Sequence, residues 1–542
     1  MASMSPSQIK GMTIGEFVRS RAQTHGRDIA LDYLTDGRRF TYKDIQDKSD
    51  QYAGALQTLG IGRATHVALM LENSPEFLLL LIAIAKIGAV AVPLTPSLRG
   101  SLLKHFIGHS DAEVLIVEEA PEEMLNSQIL QDTALKSVLV VNGGVTTGAA
   151  RGSIGIQTHD LGQLVRNATV FACEEVSYKD LAMLMYTSGT TGPSKANMFT
   201  QTHVLQYAFQ QAQAYGYLEE DVVYTCLPIS HANGLLSSTY GAFAAGARVA
   251  LVRKFSVSRF WEEVRTSGST VVGLLGSMTD FLWNAPRSSE DGKNPLRTVI
   301  MIPVPHYGKA FAERFGISII SSYGLTDYAL ATIFTPADPQ EKIGSAGRCR
   351  PGMQVRIVDD DDFDMPTGSV GEILLRSDNM WGVASGYYKM PAETLACLRN
   401  LWFHTGDRGY LDEDGYLFFT DRKKDSIRRR GENVSAFEVE NAILTHEQVN
   451  EAAVFAVKAE QSEDEIAACV VVATGCGLTP EELAAHCAAD LASFMVPRYL
   501  LFVDELPKTQ NQKIEKYKLR VHAEGNLHEY WDRLSPATVT PT

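Results

Sequence analysis

The densest chemistry in the chain lies in Tyr186-Thr187-Ser188-Gly189-Thr190-Thr191-Gly192-Pro193-Ser194-Lys195. Glycines let backbone N–H groups crowd an anion, hydroxyls add donors and a lysine adds charge, so the run suits the phosphates of a nucleotide. It is not a Walker loop. That loop needs Gly-Lys-Ser/Thr opening a helix, whereas Lys195 follows Ser194 and precedes Ala196. On composition alone a plain Gly/Ser/Thr surface turn competes with the phosphate reading. Other polar strings recur downstream. They are Tyr323-Gly324-Leu325-Thr326-Asp327, Trp402-Phe403-His404-Thr405-Gly406-Asp407, the basic run 421–434, and Pro507-Lys508-Thr509 leading to Lys513.

These residues need a scaffold to aim them. Residues 181–186 form an apolar run short enough for one buried strand. Before it, strands at 67–70, 89–92, 114–117 and 137–141 alternate with helices such as 44–59, the signal of a mostly parallel sheet covered on both faces. Further strands are expected at 221–226, 248–252, 271–275 and 298–302, with a helix at 260–267. From 344 to 419 the texture changes to short β segments with hairpin turns, which suits a small barrel or antiparallel sheet. The last hundred-odd residues read as a smaller α/β unit. Capping boxes at Ser435–Glu438 and Thr479–Glu482 open its helices, and a disordered tail is expected from about residue 534.

A chain of 542 residues exceeds one hydrophobic core, and 45% hydrophobic with 21% charged residues describes a soluble globular protein. A net charge of −15 disfavours nucleic acid as a partner. Seven scattered cysteines without a C-x-x-C pair argue for reduced thiols over a disulfide frame or zinc site. Residues 77–92 are the most apolar stretch, but Lys86, Gly88 and Pro93 make them a buried helix and strand, not a membrane span. With no apolar leader and no peroxisomal tripeptide, a cytoplasmic protein is expected. The run Asp359-Asp360-Asp361-Asp362 with Asp364 reads as a solvated hairpin turn in preference to a metal site.

The ten-residue loop resembles the signature of the adenylate-forming superfamily, which includes acyl-CoA synthetases, peptide-synthetase adenylation domains and luciferase. Its other motifs follow in family order from about residue 12 to 520. The resemblance implies an α/β fold: a large AMP-binding domain at 1–423 and a small mobile C-terminal domain at 424–542, hinged at Lys424. By it, Thr187, Ser188, Gly189, Thr190, Thr191, Gly192 and Lys195 hold phosphates. Tyr323 and Gly324 face adenine, Thr326 contacts the α-phosphate, and Asp327 holds Mg²⁺. Asp407 and Arg422 take the ribose. Lys513 bridges carboxylate and α-phosphate during adenylation, where a cation offsets the gathered negative charge. Arg428, Gly431, Glu432 and Asn433 line the CoA channel. His231 gates an acyl pocket expected around Met278, Val304 and Ser322.

The implied reaction is that of an acyl-CoA ligase working by domain alternation. ATP and Mg²⁺ convert a carboxylic acid to acyl-AMP, and CoA then displaces AMP. Departures touch the adenylation parts: Asp327 for the usual glutamate, Ala196 for glycine, Pro303-Val304-Pro305 for a glycine turn and Gln512 for glycine. They leave open a homologue that mainly forms thioester from ready-made acyl-AMP. A carrier-protein ligase and a non-catalytic acyl- or nucleotide-binding protein also stay open. The proline turn most resembles the carnitine/crotonobetaine-CoA ligase branch. No carboxylate is evident to pair a quaternary ammonium, so hydrophobic acids of secondary metabolism stay open too. A homodimer is compatible with the sequence, which does not disclose the oligomeric state.

Overall fold

Helix Pro75–Lys86 sits at the centre of the molecule, capped by the Ser74 hydroxyl accepting from Phe77 N, with proline at its first turn. It is apolar on all faces, as a helix enclosed by other elements must be. Its one cation, Lys86, is 5% exposed. The ammonium donates to Ser49 Oγ and Asp50 Oδ1, both at 2.7 Å, and to the Gln46 carbonyl and amide oxygens. Burial pulls its pKa down, and Asp50 acts against that pull.

The computed structural model describes residues 9, 11–96, 98, 100–119, 133–142, 156–168, 171, 175–187, 195–422, 427–429, 432–434, 436–458, 464–473, 475–491, 493, 495–509 and 513–534. The expected loop at 143–153 and the C-terminal tail lie almost wholly outside these residues, as does Ser435 of the first capping box.

Two large sheets flank the central helix. The first has seven strands in the order Gln157–Asp160, Ser137–Val140, Val114–Val117, His66–Met70, Val90–Leu94, Leu181–Tyr186, Ala196–Thr200. All its pairings are parallel except the last, an antiparallel hairpin whose connection is the phosphate-type loop. The second has nine, in the order Arg348–Cys349, Ala329–Phe334, Ser318–Leu325, Thr298–Ile302, Val271–Leu275, Val222–Thr225, Arg248–Leu251, Ile29–Tyr33, Arg38–Thr41. Its centre is parallel and its edges antiparallel. The early hairpin Ile29–Thr41 therefore belongs to the second sheet, and one apolar cluster runs through both. Asn73 ties the sheets together: its side chain donates to the Leu227 and Val252 carbonyls and accepts from Ile229 N at 2.8 Å.

A four-stranded antiparallel sheet follows, Met353–Val358, Gly371–Ser377, Phe403–Leu411 and Leu417–Arg422. The aspartate run is the turn between its first two strands. Asp359 Oδ1 accepts from Asp361 N and Phe363 N, while Asp362 is engaged by Arg399 and Asn400. Among the described residues no group of three or more acidic, His or Cys side chains could hold a metal. The C-terminal unit is α+β: strands Val449–Lys458, Asp464–Val472, Tyr499–Phe502 and Trp531–Asp532 with helices Ala436–Leu444, Pro480–Asp490 and Lys516–Asn526. The Thr479–Glu482 capping box is present. No helix among the described residues is long and apolar enough to cross a membrane.

Candidate active site

The phosphate-type loop is clamped at its ends. Thr187 N donates to the Lys195 carbonyl at 2.9 Å, which closes the hairpin between the strands on either side. Ser188, Gly189, Thr190, Thr191 and Gly192 lie outside the described residues, as do Lys424 and Gly431 and the side chains of Arg422, Arg428, Glu432 and Asn433. Lys195 Nζ stands 4.7 Å above the Tyr387 ring, a cation–π contact.

The Tyr-Gly-Leu-Thr-Asp string forms the end of the hairpin Ser318–Leu325/Ala329–Phe334. Gly324 is required there: a Cβ would lie 2.2 Å from the Ala329 carbonyl oxygen. The close turn brings Asp327 within Coulombic reach of Lys195, which precedes strand Ala196–Thr200 of the other large sheet. Burial pushes the Asp327 carboxyl pKa up, against opposing pulls from the Tyr387 hydroxyl, the Lys195 charge and the Asn197 amide. A buried carboxylate whose ionised form is undersupplied with partners is a setting that fits a cation. Its backbone is held by Ala384 N, which donates to the Asp327 carbonyl at 2.9 Å.

On the neighbouring four-stranded sheet, Asp407 is 5% exposed and accepts from the Tyr323 hydroxyl at 2.8 Å. Thr405 Oγ1 accepts from Asp407 N at 3.0 Å and fixes the turn around Gly406. Asp407 and Arg422 face each other in the ladder, so the strand register sets those two positions side by side. Phe419 lies 6.3 Å from Tyr323, nearly parallel to it.

His231 enters from the loop after Val222–Thr225. Burial is the main cause that lowers its imidazole to about 4, and the charge of Lys513 adds to it. The ring is therefore neutral near pH 7 and within Coulombic reach of a lysine 282 positions further along the chain. Lys513 is exposed and sits on a small hairpin in which Thr509 N donates to the Lys513 carbonyl at 2.8 Å and Thr509 Oγ1 accepts from Lys513 N at 3.2 Å. The same hairpin presents Lys508, which pairs with Glu451 at 2.5 Å and lies 5.4 Å over the ring of Phe281 in the large domain.

After His231 the chain forms a π-helix, Asn233–Tyr240. Gly234 starts it against the preceding loop, where a Cβ would meet the Pro228 carbonyl oxygen at 2.3 Å. Together with Tyr215, Tyr217, Leu227 and the ends of strands Val271–Leu275 and Thr298–Ile302, the π-helix encloses a cavity with ≈ 280 Å³ of free space, part of it open to solvent. Ser322 borders it through a 3.3 Å hydrogen bond with the Tyr215 hydroxyl. Met278 and Val304 are 4% and 7% exposed and pack in the apolar cluster with Phe311 and Phe315, not on the cavity wall. A more polar cleft around Tyr33, Arg38, Glu76 and Arg253 contains none of the motif residues.

Sequence reading did not pick out Tyr387, Asn197, Tyr215, Asn233 or Ser237. Gly386-Tyr387-Tyr388 in a polar stretch was the one available signal for the first.

Two family models match: AMP-binding enzyme over residues 18–388 and AMP-binding enzyme C-terminal domain over 438–513. The chain belongs to the AMP-binding enzyme family. The crotonobetaine/carnitine–CoA ligase of Escherichia coli O8 (strain IAI1) is 31% identical over 94% of this chain and 99% of its own length. The O-succinylbenzoate coenzyme A synthetase of Bacillus subtilis, solved with ATP and a magnesium ion, is 26% identical over 93% of this chain and 98% of its own, with a TM-score of 0.77. The anthranilate CoA ligase AuaEII, solved with anthranoyl-AMP, shares the fold at 22% identity, covering 97% of this chain and all of its own, with a TM-score of 0.85. These three relatives are named as CoA ligases or synthetases.

Proposed function

We propose that the protein is an AMP-forming acid–thiol ligase that activates a carboxylic acid as acyl-AMP and passes the acyl group to CoA. The observation that carries this reading is the Coulombic influence of Lys513, far along the chain, on His231, which leads into the π-helix on the cavity wall. A non-catalytic nucleotide binder has no use for a second cation delivered there from another domain.

In this reading Tyr323 and Asp407 take the nucleoside and the Thr187–Lys195 loop takes the phosphates. The carboxylate of the acid attacks the α-phosphorus, and pyrophosphate leaves with the bonding pair. Lys513 offsets the charge of the two anions as they meet, an electrostatic role in which removal of one donor typically costs about 10²–10³ in rate. Asp327, with Tyr387 and Asn197 behind it, would hold Mg²⁺, whose charge neutralises phosphate oxygens. His231, neutral and buried, screens the acyl carbonyl from water. The two domains, 1–423 and 424–542, then change partners about Lys424, which withdraws Lys513 and admits the thiol along Arg428, Gly431, Glu432 and Asn433. Separating the half-reactions between two arrangements gives each its own site on one intermediate.

The test separates those halves. Pyrophosphate exchange into ATP is measured across a panel of acids, and thioester formation is measured from synthetic acyl-AMP with CoA. Both activities together are expected. Thioester without exchange would mean that Asp327 and Gln512 have silenced adenylation, and absence of both would sink the ligase reading.

A further inference from the structure

The cavity behind His231 has two unlike walls. The strand ends supply Gly273, Leu274 and Ile300, an apolar face. The π-helix and the segment after helix Gln201–Ala214 supply hydroxyls and an amide. Ser237 Oγ is buried and lacks a well-formed hydrogen bond, with the Tyr207 phenol near it. Tyr217, Asn233 and Ser238 add further hydroxyl and amide groups to the lining. Polar groups held away from bulk water without partners cost free energy unless a ligand satisfies them.

Charge is missing from the lining. Among the described residues no Asp, Glu, Lys or Arg contributes to it, so a charged group at the far end of an acyl chain would be desolvated without a counter-ion from them. Arg350, the cation near Tyr215, is 7% exposed and donates to the Leu330 carbonyl at 2.9 Å, and its sign repels a cationic tail. Room is short as well. Of the ≈ 280 Å³ of free space only ≈ 20 Å³ admits the centre of a water-sized sphere, against about 300–1,000 Å³ usual for ligand pockets. Gly273 lines the wall with its missing Cβ only 3.8 Å from Leu227 Cδ1.

We propose that the acid activated here is compact and carries neutral hydrogen-bonding groups (hydroxyl, keto or carboxamide) on the end that enters the cavity, where Ser237, Asn233 and Tyr217 pair with them. The proposal rests on the ligase reading and narrows its substrate class. It separates this site from acids with a fixed positive charge, such as carnitine. A site built to hydrogen-bond a substrate hydroxyl rejects the analogue without it far more strongly than an apolar pocket rejects an extra group.

The experiment uses the full chain with ATP, Mg²⁺ and CoA, and reads kcat/KM for thioester formation on matched acids. The pairs are 4-hydroxybenzoate against benzoate and 6-hydroxyhexanoate against hexanoate, with adipate and 4-(trimethylammonio)butanoate as charged controls. The hydroxylated member of each pair is expected to win by about tenfold or more. Ser237→Ala is expected to bring that ratio toward one. Asn233→Asp is expected to raise the relative rate with the cationic acid, a gain that a merely misfolded variant could not give. Equal or better turnover of the unsubstituted or charged acids would overturn the inference and leave the ligase intact. No thioester from any acid would overturn both.

Discussion

At the scale of single residues, Lys513 and Tyr387 do separable work in the proposed mechanism. Lys513→Ala is expected to lower pyrophosphate exchange by about 10²–10³ and to spare thioester formation from acyl-AMP. Parallel assays of the two halves check this, and an equal loss in both would remove Lys513 from the adenylation step. Tyr387→Phe keeps the ring beneath Lys195 but deletes the hydroxyl facing Asp327. It is expected to raise the Mg²⁺ concentration needed for half-maximal exchange several-fold while leaving the melting temperature near that of the parent. Two buried histidines make a different prediction. Burial lowers His203 to about 3, and burial with the Lys513 charge lowers His231 to about 4. The unfolded chain binds these protons near pH 6.5 and the folded one does not. Stability is therefore flat above about 6.5 and falls as pH drops toward 4, by up to about 1.4 kcal/mol per unit for each group. His203 stacks 4.2 Å from Phe199 with both ring nitrogens unbonded, so His203→Leu is expected to flatten part of the slope in denaturant titrations at pH 7 and 4.5.

At the scale of elements, most of the strands of both large sheets were legible because buried parallel strands are plain apolar runs. The helix at 75–86 was legible from its serine cap, its proline and its unbroken apolar surface. The hairpin Ile29–Thr41 was not assigned to the second sheet, because no local pattern says that Leu31 will face Val249 more than two hundred positions away. Tyr387 escaped for the same reason: it reaches Asp327 by an isolated bridge to Asn197 and not through a strand of its own. The Gly324 turn gives this scale its test. A methyl added there cannot avoid the Ala329 carbonyl. Gly324→Ala is expected to cost about 1–3 kcal/mol in denaturant unfolding and to abolish pyrophosphate exchange by displacing Tyr323 and Asp327 together. Full activity in a stable variant would show that the hairpin end tolerates rearrangement.

At the scale of the whole molecule, the C-terminal part touches the rest through the Lys508 hairpin and through Phe437, which meets Phe419 edge to face. Lys508 pairs with Glu451 on its own side and covers Phe281 on the other, near Asp280, whose carboxyl is raised chiefly by burial. Lys508→Ala is expected to weaken the arrangement that presents Lys513. Exchange should fall several-fold while thioester formation from acyl-AMP is unchanged or faster; slowing of both alike would assign Lys508 a purely structural part. The order of the motifs could be read from the chain. The small unit's pose could not, since it depends on a cation–aromatic contact between residues 227 positions apart.

The π-helix Asn233–Tyr240 has a hereditary side as well. Each of its turns spends one residue more than an α-helix, and an α-helix advances about 100° per residue. Dropping a single codon among Ser237, Ser238 and Thr239 would restore the ordinary pitch and re-aim the side chains of this turn, while the widened turn absorbs the loss and the residues beyond keep their facing. The polar wall would then present a different set of groups without any change to the sheets, the nucleotide motifs or the hinge. Diversification of acid preference in this lineage is thus open to in-frame loss or gain of one triplet, a route that comparisons of substitutions alone would overlook.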